Sequence, residues 1–217
     1  MAPLLARVVA SQLARPHGLL AAKTLDLLDA GNAERIAAGV AQARAGPGMT
    51  VADVGFGGGV GLRLLLDRVA LPSDAHPAGG RVHGVELSGA AIRRARRRFR
   101  TEVRSGRLCV RAGTLQALPL AGASLDAVIS TNTVYFVPEL APVRDELVRV
   151  TVPGGRVVLG IADPERMREI GVPLHGFTLR PVDQIVETMT TTGALGVSGL
   201  ERLDDHVGFT VLVLSRR

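Results

Sequence analysis

Residues 51–66, VADVGFGGGVGLRLLL, decide how the rest of the chain is read. Val51, Ala52 and Val54 form a short apolar run that stops at glycine, the mark of a buried parallel strand. Asp53 interrupts that run, and a carboxylate in a buried strand is costly unless something pairs with it. Gly55, Gly57 and Gly59 follow at alternate positions. Leu62, Leu65, Leu66 and Val69 then recur at helical spacing, so a helix opens close to Gly59. A strand, a glycine turn and a helix start bring bare backbone and free N–H groups together. In an open α/β sheet, ligands bind in the crevice beyond the carboxyl ends of such strands. The spacing is not the dinucleotide fingerprint G-x-G-x-x-G: counted from Gly55 its last position falls on Val60, and from Gly57 on Leu62.

The 217 residues are one domain's length, 47% hydrophobic but only 3% aromatic, so the core is aliphatic. A single cysteine, Cys109, excludes a disulfide framework and a multi-cysteine metal site, and no ligand cluster for a metal is visible. Cys109 itself reads as a buried, inert core thiol. No apolar run approaches the roughly 18–20 residues of a membrane helix. The first twenty residues have no acid and carry Arg7 and Arg15, as transit peptides do, but suit an amphipathic helix equally. The helical reading is preferred, with a cytoplasmic location. Net charge is +6, yet Lys23 is the only lysine. Such an arginine-only excess suggests coding from a GC-rich genome as readily as a nucleic-acid surface. The sequence carries no signal for an oligomeric state.

Outward from the glycine stretch, residues 4–44 show helical patterns, with breaks expected at Pro16–His17–Gly18 and Gly31–Asn32. They form an N-terminal helical cap, residues 1–47, ahead of a domain spanning 48–217. Pro72–Gly80 is a turn-rich connection. Strands are expected at Arg81–Glu86, Leu108–Ala112, Leu125–Ser130, Arg156–Ile161, Val197–Leu203 and Gly208–Leu214. Helices are expected over 89–104, from Pro138 to about Val150, and over 182–192. The fold class is therefore α/β: a Rossmann-like, mostly parallel seven-stranded sheet with helices on both faces. Residues 162–180 lack clear periodicity and suit a lid. The helix over 89–104 buries Ile92, Ala95, Phe99 and Val103 and exposes six arginines, read as a solvated face rather than a phosphate-binding one.

The motifs, taken together, resemble the class I S-adenosylmethionine-dependent methyltransferases. Asp53, Gly55, Gly57 and Gly59 match (D/E)-x-G-x-G-x-G. Glu86 ends the second strand, Gly113–Pro119 is similar to G-D-A-E-x-L-P, and Leu125–Ser130 and Arg149–Leu159 resemble the later elements. The resemblance covers roughly residues 48–217, and is greatest to the small-molecule group that includes the ubiquinone and menaquinone methyltransferases. It implies an antiparallel final strand and S-adenosylmethionine as cofactor. It also implies a binding set of Asp53, Gly55, Gly57, Gly59, Glu86 on the ribose hydroxyls, Leu87 against adenine, Thr114, Leu115 and Thr131. Thr114 stands where the family has an aspartate on the adenine amino group, and a hydroxyl accepts more weakly.

Methyl transfer from a sulfonium runs largely on positioning, and a base is needed only if the acceptor must lose a proton. The candidates are Tyr135, His17 and His175, with Tyr135 first because its strand end faces the crevice. Phe136 beside it supplies an apolar wall. Nucleobase amino-methyltransferases carry a proline pair after the fourth strand, which Thr131–Phe136 lacks, and Cys109 cannot serve cytosine-carbon or arsenite chemistry. The absence of a ligand cluster argues against a magnesium-dependent catechol type. The expected acceptor is a small, partly apolar molecule such as a quinone, polyketide or lipid. An RNA methyltransferase using the arginine helix and a non-catalytic S-adenosylmethionine-binding protein are the alternative readings.

Overall fold

The computed structural model describes residues 21–71, 79–172 and 176–217. Seven strands build one sheet: β1 (Thr50–Val54), β2 (Arg81–Glu86), β3 (Leu108–Ala112), β4 (Leu125–Thr131), β5 (Thr151–Ile161), β6 (Leu195–Arg202) and β7 (Thr210–Arg216). Their order is β3-β2-β1-β4-β5-β7-β6. β7 runs antiparallel to both neighbours, and the pairs from β3 across to β5 are parallel. The order reverses between β1 and β4, so the connections that leave these two paired strands run to opposite sides of the sheet and open a crevice at their carboxyl ends. The register Val54↔Val85 and Asp53↔Ile129 brings the ends of β1, β2 and β4 to one edge.

Aliphatic helix faces fill the space against the sheet, as the composition requires. Leu62, Leu65, Leu66 and Val69 of α2 (Val60–Val69) are buried, as are Val143, Leu147 and Val150 of α5 (Ala141–Val150). α5 starts three residues after the expected Pro138, with Pro142 in its first turn, where its missing N–H costs nothing. β5 begins directly after α5, five residues before the expected Arg156, and its register with β4 shifts between Leu125 and Ala127. The expected helix over 89–104 is two pieces, α3 (Gly89–Arg98) and α4 (Arg100–Arg104), divided at Phe99, whose φ −107° and ψ 37° leave the helical region. The last helix, α7 (Val182–Thr190), buries Ile185 and Met189.

Two further expectations change. The break at Gly31–Asn32 does not occur: α1 (Ala21–Gln42) runs through both residues. Arg35 Nη1 bonds the Gly31 carbonyl and Asn32 Oδ1, each at 3.0 Å, and these side-chain bonds offset the low helix propensity of the pair. The break at Pro16–Gly18 lies outside the described residues. The 162–180 segment also has structure, α6 (Pro164–Glu169), capped by Asp163 accepting from the N–H groups of Glu165 and Arg166. Among the described residues no helix is long and apolar enough to cross a membrane.

Candidate functional site

Each glycine of the turn after β1 answers to a different neighbour. Gly55 has φ +77°, and a Cβ there would stand 2.2 Å from Thr133 Cγ2. The turn is thus packed against the end of β4. Gly59 has φ +97° as the residue before α2, and its α-carbon faces the buried ring of Phe99. Gly59 therefore shapes the helix start and does not line the cavity described below. Gly57 differs from both: at φ +52° a Cβ would meet nothing within 4 Å. Only this glycine leaves the approach to its own backbone open.

Glu86, 9% exposed, closes the turn from β2. Its Oε1 accepts from the N–H groups of Leu87 (2.7 Å) and Ser88 (2.9 Å), and its Oε2 accepts from Gly57 N–H at 3.1 Å. The carboxylate is thus fixed by backbone on one oxygen and shared with the glycine turn on the other. Leu87 stays 47% exposed beside it. Thr114 and Ala117 bridge across a tight turn, with Leu115 buried between them. Glu146 of α5 secures that turn by accepting from Leu118 N–H at 2.6 Å.

Asp53 lies below the turn rather than in it, 5% exposed, where a Cβ on Gly61 would reach its carboxylate at 2.2 Å. Burial, together with Glu86 and Asp29, pushes its carboxyl up to about 8. Asp53 thus supports the turn from within and does not line the cavity. Asp29 of α1, by contrast, caps the turn from above. Its carboxylate sits 2.1 Å from where a Cβ on Gly58 would stand. Burial raises the Asp29 carboxyl, against the pull of Arg94 and Arg98.

These groups open onto a cavity of about 450 Å³. One end carries Gly57, Glu86, Leu87, Thr114 and Leu115; the other carries Tyr135, Phe136, Met167, Val172, Phe177 and Val207. Thr131 lines it as well. Phe136 and Phe177 meet edge to face at 4.6 Å, and Tyr135 stacks on Phe177 at 6.1 Å.

Tyr135 lines the cavity with its ring, but its hydroxyl is committed elsewhere. It donates to Asn132 Oδ1 at 3.0 Å and accepts from Ala162 N–H, which bolts the β4 exit to the end of β5. Burial pushes this phenol far above its ordinary range. The hydroxyl's proton is spent in a buried bond and burial resists its ionisation, which weighs against the base role expected of Tyr135 and suits a wall and a bolt. His17 and His175 lie outside the described residues.

Sequence reading expected a helical cap ahead of the sheet but singled out no side chain of α1 for the site. Asp29, Asn32 and Arg35 recur at helical spacing on α1 and all line the cavity. Asn32 Oδ1 accepts from Asn132 Nδ2 at 3.0 Å, and Asn132 holds φ +57°. The break expected at Gly31–Asn32 would have divided this stripe, and nothing local said which element it would face.

The arginine face is largely exposed, as expected, but two of its members are also paired. Arg94 pairs with Asp26 at 2.6 Å and Asp29 at 3.8 Å, and Arg98 pairs with Asp29 at 3.8 Å and bonds the Gly58 carbonyl. Arg63 and Arg98 both stack on Phe99. Part of this face is therefore a clasp that holds α1 over the glycine turn, while Arg93, Arg97 and Arg100 remain exposed. Cys109, expected in the core, is half-buried on the edge strand β3 and does not line the cavity.

Residues 52–159 match the family model described as a methyltransferase domain. The chain is 28% identical to a probable S-adenosylmethionine-dependent methyltransferase of Mycolicibacterium smegmatis, over 76% of this chain and 62% of that protein. It is 32% identical to the malonyl-[acyl-carrier protein] O-methyltransferase of Halorhodospira halophila, over 55% of this chain and 37% of that one. The chain thus spans less than two thirds of these curated relatives. Among solved structures, a Haloferax volcanii putative methyltransferase, determined with the Trm112 methyltransferase activator, superposes with a TM-score of 0.75. That likeness covers 91% of this chain and 96% of that one at 19% identity.

Proposed function

The chain belongs to the family of methyltransferase domains, and on that premise we propose that it moves the methyl group of S-adenosylmethionine onto a small, partly apolar acceptor. The observation that carries this reading is the two-ended cavity. A carboxylate shared with an open glycine turn lies at one end, and an aromatic and aliphatic wall lies at the other.

The residues present fit the cofactor. A Cβ at Gly57 would fill the approach to the turn, so glycine there keeps room for a ligand against backbone. Glu86 has acceptor capacity beyond its three N–H bonds for ribose hydroxyls, Leu87 offers an exposed apolar face to adenine, and Thr114 and Leu115 flank it. Asp53, Gly55, Gly59 and Thr131 shape this end. S-adenosylmethionine supplies an activated methyl on a sulfonium. The chain's own work is to hold, align and exclude water. α1 serves as the cap, clasped through Asp29 to Arg94 and Arg98. Tyr135, Phe136 and Phe177 present ring faces to the acceptor. Acceptors that arrive already nucleophilic suit a wall whose one phenol is bonded and hard to ionise.

An RNA acceptor is disfavoured because Arg94 and Arg98 spend their charge on α1. The malonyl-carrier enzyme and the geranyl diphosphate methyltransferases among the structural neighbours act on small acceptors or groups, which agrees with this reading. The test is calorimetric titration with S-adenosylhomocysteine followed by a tritiated-methyl assay on small aromatic and aliphatic acceptors. Binding with transfer is expected. Absence of binding would overturn the reading, and binding without any transfer would favour a non-catalytic role.

A further inference from the structure

Among the described residues lining the cavity, Arg35 is the only cation. Its side chain is 11% exposed. Nε donates to Asp205 Oδ2 at 2.6 Å, and Nη1 donates to Gly31 O and Asn32 Oδ1. Asp205 is itself immobilised, since its Oδ1 accepts from the N–H groups of Val207 (3.1 Å) and Phe209 (3.0 Å). The Phe209 ring lies 5.9 Å from the guanidinium. The plane of Arg35 is therefore set by three neighbours, while Nη2 has no acceptor among the described residues.

Nη2 alone keeps its N–H donors free at the cavity, and a charged N–H donor there matches a carboxylate oxygen. Its place on α1 narrows the source. Arg35 lies six residues beyond Asp29, which sits on the glycine turn, so about 9 Å further along the helix. Its partner Asp205 belongs to the turn between β6 and β7, beside Val207 of the apolar wall.

We infer that Arg35, oriented by Asp205, anchors a carboxylate of the acceptor, which is therefore a carboxylate-bearing apolar molecule. The inference rests on the methyltransferase reading above. Arg35 touches the ligand, and Asp205 is a positioning residue that acts through it.

The test uses the full chain saturated with S-adenosylhomocysteine and titrated with a matched pair of probes, trans-cinnamate and cinnamyl alcohol. Cinnamate is expected to bind about tenfold more tightly than the alcohol, the scale of one hydrogen bond to a charged group. Arg35→Gln should abolish that preference while leaving S-adenosylhomocysteine affinity within about twofold. Arg35→Lys keeps an ion-pair partner for Asp205 but lacks the second nitrogen, so it should lose most of the preference in a protein that still folds. Equal binding of the two probes to the wild type would overturn the inference. So would a tenfold loss of S-adenosylhomocysteine affinity in both Arg35 variants, which would assign the guanidinium to the cofactor's own carboxylate. Failure of the wild type to bind S-adenosylhomocysteine would sink the methyltransferase reading and this inference with it, whereas binding without a carboxylate preference would sink this inference alone.

Discussion

At the Glu86 end of the cavity the chain works with backbone: Gly57 N–H, Leu87 N–H and Ser88 N–H converge on one carboxylate held at a strand end. At the Phe177 end it works with side chains drawn from the β4 exit, α6, the segment after it and the turn before β7. The first end is specified by register, because parallel pairing of β1 with β2 brings Gly57 and Glu86 together across 29 residues. The second is specified by packing between elements far apart in sequence. A backbone site holds one ligand shape and tolerates little change, whereas a wall of rings can be altered without disturbing its partner end.

The sharpest way to break this comparison is at the glycines. Gly55→Val puts a branched side chain at φ +77° where even a Cβ would lie 2.2 Å from Thr133, so both folding and cofactor binding should collapse. Gly57→Val places its Cβ in open space at φ +52°, so it should cost roughly 1–2 kcal/mol of stability yet abolish measurable binding. Thermal unfolding with calorimetric titration separates the two. A Gly57→Val protein that still binds S-adenosylhomocysteine normally would remove the turn from the site.

That contrast also explains what could be read beforehand. The Glu86 end was legible because its parts sit at fixed spacings along strands whose period and order are written locally. Asp53 was legible as a costly buried acid, though its place beneath Gly61 was not. The acceptor end was not legible: Phe177, Val207 and Arg35 carry no local mark, and Asn32 was read as part of a helix break. Arg94 was misread as solvated because its partner Asp26 is 68 residues away, on a helix whose direction the sequence leaves open.

Asp53 sharpens the comparison through pH. Its carboxyl is raised from 3.8 to about 8 in the folded protein, so between about pH 4 and pH 8 the unfolded chain ionises this group while the folded chain keeps the proton. Fewer protons are bound on unfolding, and stability falls as pH rises through that window. Asp53→Asn should flatten the decline in melting temperature between pH 5 and pH 8.5. An unchanged slope would mean that the acid is already ionised and paired at neutral pH.

At the other end, Tyr135→Phe is expected to have a smaller effect. It removes the bonds to Asn132 and Ala162 and leaves Ala162 N–H without its partner, at about 1–3 kcal/mol of stability. Turnover per folded molecule should stay within about tenfold of wild type, because a ring face remains. A loss of roughly 10²–10⁴-fold would restore the base role.

The two-ended account is tested most directly by titrating S-adenosylhomocysteine into Glu86→Ala and Phe136→Ala side by side. Glu86→Ala should weaken binding by about ten- to a hundredfold, the loss of hydrogen bonds to a charged group. Phe136→Ala, altering only the wall at the far end, should leave the affinity within about twofold of wild type. Equal losses in both variants, or a larger loss in Phe136→Ala, would contradict it.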